Sequence, residues 1–147
     1  MLPNIERLEA AAAGPGTASE MLGQLFAVWA RHVAPSRVSV LPKLMIAEAG
    51  NFPELARVWH DDLVAHILGA LTDAIAAAQK RGEVKAGDPR MYALEIIAPM
   101  LLGLIWRETF VPVGAAPFDL PTLARQHVET MIEGLKPRIP QTGEAAA

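Results

Sequence analysis

The chain has 147 residues, of which 52% are hydrophobic and 20% charged, and it carries a net charge of −3 and no cysteine. This is the length of one domain built on one core, and 13 basic against 16 acidic residues leave no electrostatic footprint for holding a phosphate backbone. Composition alone excludes disulfides, thiolate metal sites and cysteine nucleophiles.

The opening residues Met1-Leu2-Pro3-Asn4-Ile5-Glu6 lack the basic start and apolar core of a secretory signal, so a cytoplasmic chain is expected. Between Gly and Pro breaks the apolar residues recur at three-and-four spacing, and no stretch alternates with period two. The expected fold class is therefore all-α, a single-domain bundle of about six helices. A first short helix over 4–12 stops at Gly14-Pro15-Gly16. The second starts at Thr17, whose spacing to Glu20 fits a capping box, and runs to Val33 with Met21, Leu22, Leu25, Phe26 and Trp29 inward.

The third helix is expected from Arg37 to Ala49, with Val40, Leu41, Leu44, Met45 and Glu48 on one face and Pro42 in its first turn. Asn51 is the expected cap of a long fourth helix. Its stripe Leu55, Val58, Trp59, Leu63, Ile67, Leu71, Ile75 and Ala78 ends at Lys80-Arg81-Gly82, cations on the negative dipole end and a glycine for a left-handed cap. On an unbroken helical wheel His66 falls inside this stripe, between Trp59 and Ile67, with Asp62 one turn back.

Asp88-Pro89 opens a fifth helix, to Phe110, by supplying an N-cap and a proline at the first helical position. Ile96, Ile97, Met100, Leu101, Leu102, Leu104 and Ile105 cover nearly its whole circumference. The uninterrupted apolar run, 96–106, falls well short of the roughly 20 residues of a membrane span, so no membrane is expected but a buried helix, shared with a symmetric partner or else central to a single domain. Pro99 and Gly103 inside it disfavour a straight rod. After a loop over 111–117, a sixth helix from Pro121 to Leu135 carries Leu123, Ala124, Val128, Met131 and Ile132 on one face.

The string Leu44-Met45-Ile46-Ala47-Glu48-Ala49-Gly50-Asn51-Phe52-Pro53-Glu54-Leu55-Ala56 resembles the region that TetR-type transcriptional regulators carry between these helices. Arg81-Gly82-Glu83-Val84 followed by Asp88-Pro89 is similar to that family's break before its last two long helices. The resemblance implies a C-terminal domain that binds a small effector and dimerises through those helices. The family's helix-turn-helix has no counterpart before Leu2, so the expectation is a chain that makes no DNA contact itself. On this basis 1–16 is expected to be the end of a linker helix, 17–135 the ligand-binding and dimerisation domain, and 136–147 a disordered tail.

Within that frame the expected ligand-binding residues are Leu25, Trp29, Met45, Trp59, Asp62, Leu63, His66, Met100, Trp106 and Phe110, where aromatic and Met side chains give an apolar or amphipathic molecule shape contact. They can equally be core. His66 is either a satisfied core histidine or a ligand handle. The expected homodimer interface is Ile97, Leu101, Leu104, Leu123, Val128 and Met131. His60, Asp62 and His66 have no second partner motif, so no metal site is expected, and none of the loops or residue pairs of a catalytic centre is present. No cofactor and no enzyme activity are expected. The rival to a sensor is a purely structural dimerisation module whose interior is filled by its own side chains.

Overall fold

A computed structural model describes residues 3–14 and 16–138. Among them the chain is all-helical, without strands. The expected tail lies outside the described residues from position 139 on, as does Pro15 of the first stop signal.

Helix α1 (Pro3–Ala13) buries Leu8, Ala11 and Ala12 and packs on α2 and α5, so its inner face belongs to the core. Helix α2 (Ala18–Val28) is capped by Thr17, whose hydroxyl accepts from the Glu20 N–H at 3.2 Å. Its inward residues Met21, Leu22, Leu25 and Phe26 are all buried. The chain then passes into one π turn (Trp29–Val33), closed by the Ala34 N–H on the Trp29 carbonyl at 2.9 Å.

A 3-10 turn (Arg37–Val40) leads into α3 (Leu41–Glu48). Only Met45 and Pro42 of α3 are buried, whereas Val40 and Leu44, expected to face inward, are exposed. The tighter 3-10 start advances the helix by a different angle per residue than an α-helix from Arg37 would, so the expected face is rotated. Asn51 does not cap the next helix; Phe52 holds the cap position without a side-chain bond.

The long fourth helix of the sequence reading exists as α4 (Pro53–Trp59), a π turn (His60–Val64) and α5 (Ala65–Lys80), with helical backbone throughout. It ends in a Schellman motif. Gly82 has φ +79°, the Glu83 N–H bonds the Ala78 carbonyl and the Gly82 N–H that of Gln79, each at 3.0 Å. Glu83 then accepts from Arg81 at 2.8 Å and from the otherwise orphaned Ala18 N–H of α2 at 3.2 Å. The Arg81 guanidinium, with help from that amide, holds the Glu83 carboxyl below the usual carboxylate range against the opposing effect of its partial burial.

Helix α6 (Pro89–Thr109), capped by Asp88, buries Ala93, Ile96, Met100, Gly103 and Leu104 on one face. Met91, Leu94, Leu101 and Leu102 on other faces are exposed. With the short 3-10 turn after it, α6 is long and apolar enough to cross a bilayer by length and composition. Its inner face is nonetheless packed on α5 and α7, as the middle helix of a folded bundle. Helix α7 (Leu120–Leu135) is capped by Asp119 and lies on α2 and α6, where the His127 Nε2 meets the Ile96 carbonyl at 2.9 Å and its ring meets Phe26 edge-on at 5.3 Å. One cluster of buried side chains runs from Leu8 to Leu135, centred on Leu71, Ile75 and Ile96.

Candidate functional site

Away from α7 the remaining helices line a cavity of about 180 Å³ that opens to the surface beside Val64, Leu94 and Leu101. Helix α6 forms one wall with Leu94, Ile96, Ile97, Met100, Leu101 and Leu104. The long helix supplies Trp59, Leu63, Val64, Ile67 and Leu68. Leu25, Phe26, Trp29 and Val33 come from α2 and its π turn, Val38 from the 3-10 turn, Leu41 and Pro42 from the start of α3, and Leu8 from α1.

Both π turns stand in this wall, and each places side chains there that a regular helix would turn away. The inward stripe Trp59, Leu63, Ile67, Leu71 steps by four residues a turn, against the 3.6 of an α-helix. The π turn at 60–64 absorbs the difference, since its i→i+5 bonding adds a residue to one turn. At 3.6 the stripe would have met His66. The structure instead leaves His66 exposed, with Nδ1 3.5 Å from Glu9 of α1, so its expected position among apolar residues is corrected.

Of the ten residues expected to bind a ligand, Leu25, Trp29, Trp59, Leu63 and Met100 line the cavity and the other five do not. Asp62 is exposed, because it precedes Leu63 on the outer side of the same π turn. Met45 is buried without reaching the cavity. Trp106 and Phe110 meet at a tilt of 54° with ring centroids 4.9 Å apart, and Trp106 also meets Phe118 at 5.1 Å and donates to the Ala116 carbonyl at 3.0 Å. These aromatics clamp the loop before α7.

The six residues expected at a dimer interface are also divided. Ile97, Leu101 and Leu104 line the cavity, and Leu104 is covered within its own chain; Leu123, Val128 and Met131 are half-buried against the core. The lining extends beyond the expected residues, to Leu8, Phe26, Val33, Val38 and Leu41 among others, whose side chains are those of any core and carry no mark of a ligand site. His60 lies 2.8 Å from Asp61 and not with His66, and no three potential metal ligands converge among the described residues.

The wall contains no ionisable side chain, and its only nitrogen or oxygen atoms in side chains belong to the indoles of Trp29 and Trp59. The Trp59 Nε1 is buried and has no hydrogen-bond partner among the described residues. Arg107 secures the π turn beside the cavity from outside: it donates to the Ala34 carbonyl at 2.7 Å, to Ser39 Oγ at 2.6 Å and to Glu108 at 2.9 Å. Such a site can desolvate and grip an apolar molecule, and it offers no acid, base or nucleophile.

Residues 20–133 match the family described as the C-terminal domain of AefR-like transcriptional repressors. Among solved structures, the fold is similar to that of a protein described as a TetR-family transcriptional regulator from Mesorhizobium loti MAFF303099, with a TM-score of 0.62 and 22% identity over 88% of this chain. The chain spans 63% of that regulator's length. No curated protein matches the chain.

Proposed function

Because the chain belongs to the family of AefR-like transcriptional repressor C-terminal domains, we propose that it is the effector-sensing and dimerisation part of a cytoplasmic transcriptional regulator, and not an enzyme. The carrying observation is the cavity of about 180 Å³, whose lining side chains are apolar but for two indole nitrogens. A dry cavity of comparable size, about 150 Å³, holds benzene, so a single ring with a short substituent or a short branched chain fits. The effector acts by favouring the conformation in which this space is open. Leu8 carries the consequence outward, since α1 presents it to the cavity while packing on α2 and α5. Dimerisation falls to the outer face of α6, where Met91 and Leu102 are more than half exposed and do not line the cavity.

The test uses Trp29 and Trp59 as reporters. Uncharged molecules from benzene to naphthalene should quench tryptophan emission saturably and raise the melting temperature. Ile97→Trp, which fills the space, should abolish both effects. Equal binding by that variant would put the ligand elsewhere, and indifference of the wild type to every probe would remove the sensor reading.

A further inference from the structure

Helices α1 and α2, with the π turn that ends α2, border a second hollow, a groove of about 390 Å³. Its chemistry is the reverse of the cavity's. Arg7, Gln24, Arg31 and His32 line it and no carboxylate does, although the chain as a whole carries a net charge of −3. Ala11 and Ala27, with nothing beyond Cβ, leave the space between them open. Arg7 Nη1 lies 3.1 Å from His32 Nδ1. A guanidinium can only donate, so the ring nitrogen accepts there and the imidazole adds no acceptor-free charge of its own. Arg31 takes part in none of the ion pairs among the described residues. Two guanidiniums brought to one hollow repel each other, and an anion between them turns that repulsion into attraction.

The groove and the apolar cavity share two elements. On α1, Arg7 lines the groove and the next residue, Leu8, lines the cavity. In the π turn, Arg31 and His32 line the groove while Trp29 and Val33 line the cavity. We propose that the groove is a second binding site, for a small oxyanion of the phosphate or carboxylate class held by Arg31 and Arg7, and that its occupancy is coupled to the cavity. An anion that ties α1 to the π turn fixes two parts of the cavity wall in the arrangement that leaves the cavity open, so each ligand favours the other. The coupling rests on the sensor reading above; the anion site does not.

Inorganic phosphate and acetate are titrated at constant ionic strength into the full chain, and the arginine Nε–H resonances are followed in ¹⁵N spectra. The resonance missing from Arg31→Gln identifies Arg31. It should move saturably with at least one of the two anions, and the one that binds more tightly names the class. Ala27→Glu, which sets a carboxylate into the groove from an exposed helical position, should weaken that anion about three- to tenfold. Arg57→Gln removes a cation of α4 that does not line the groove, and should leave the anion's affinity unchanged. A drift that never saturates, or binding that Ala27→Glu leaves intact, would overturn the site. With the anion saturating, benzene should quench tryptophan emission with about fivefold higher affinity. Unchanged benzene affinity would overturn the coupling. Should no apolar probe bind the wild type, the sensor reading falls and the coupling with it, while the Arg31 resonance still decides the anion site.

Discussion

Gly103 of α6 lies so close to the start of α7 that a Cβ built on it would stand 3.0 Å from Leu120 Cδ2, with Leu123 Cδ2 at 3.1 Å. The glycine weakens its helix by about 1 kcal/mol relative to alanine and in return lets the two helices meet. Gly103→Ala should change stability by less than about 1 kcal/mol, because the methyl displaces only flexible leucine ends while improving the helix. Gly103→Leu should cost roughly 1 to 3 kcal/mol or more through overpacking. Urea unfolding of the two variants checks both figures, and a harmless leucine would mean that the helices are not in close contact.

The exposed side of α6 should carry the dimer. Leu102 is 61% exposed and lines no cavity, so Leu102→Glu leaves the monomer core intact. Sedimentation should show wild-type dimer and a dissociation constant weakened at least about tenfold in the variant, since a carboxylate would be buried unpaired at the interface. Unaltered association would exclude this face.

Arg107 joins α6 to the chain just after the first π turn, and its hydroxyl partner Ser39 is itself buried. Arg107→Met should cost about 2 kcal/mol, the value of charge-assisted bonds tempered by partial exposure. Probe affinity should fall with it, because Trp29 and Val33 belong to the turn it holds. Chemical denaturation and probe titration on the same sample separate the two effects.

Glu83 contributes to stability only while ionised. Its folded-state value is depressed, so the contribution is present above the ordinary glutamate value of about 4.3 and is lost as the pH falls through the lower folded value. Glu83→Gln should therefore melt below the wild type at neutral pH and converge with it in acid, once the pH has fallen below the lowered folded value. A gap that persists in acid would show that the carboxylate charge is not what holds the Arg81 and Ala18 contacts.

Local chemistry made much of this fold legible in advance. Thr17, Asp88 and Gly82 mark their helix ends because a cap depends on neighbours within a few residues. Leu25, Trp29, Trp59, Leu63 and Met100 reach the cavity because large apolar residues on an inward stripe must meet whatever lies inside. His66 and Asp62 were misplaced by the assumption of a constant 3.6-residue turn, which a single π turn breaks without any Gly or Pro to announce it. Trp106 was misplaced for another reason. Its partner Phe118 lies beyond a turn at Gly114, and no periodicity within α6 can reveal a contact made by the loop.

The two π turns also bear on how such a binding site changes over generations. Each amounts to one extra residue in a helix, so deleting a single codon between positions 60 and 64 would restore regular winding. Because the π turn has absorbed that residue locally, Trp59 and Ile67 would then stand seven residues apart, close to two regular turns, and both would keep their place in the wall. What would change is the turn between them, where Leu63 and Val64 reach the cavity. The lining can therefore be altered at that turn by a change of length with the flanking helices left in register, and comparisons that count only substitutions would miss the event.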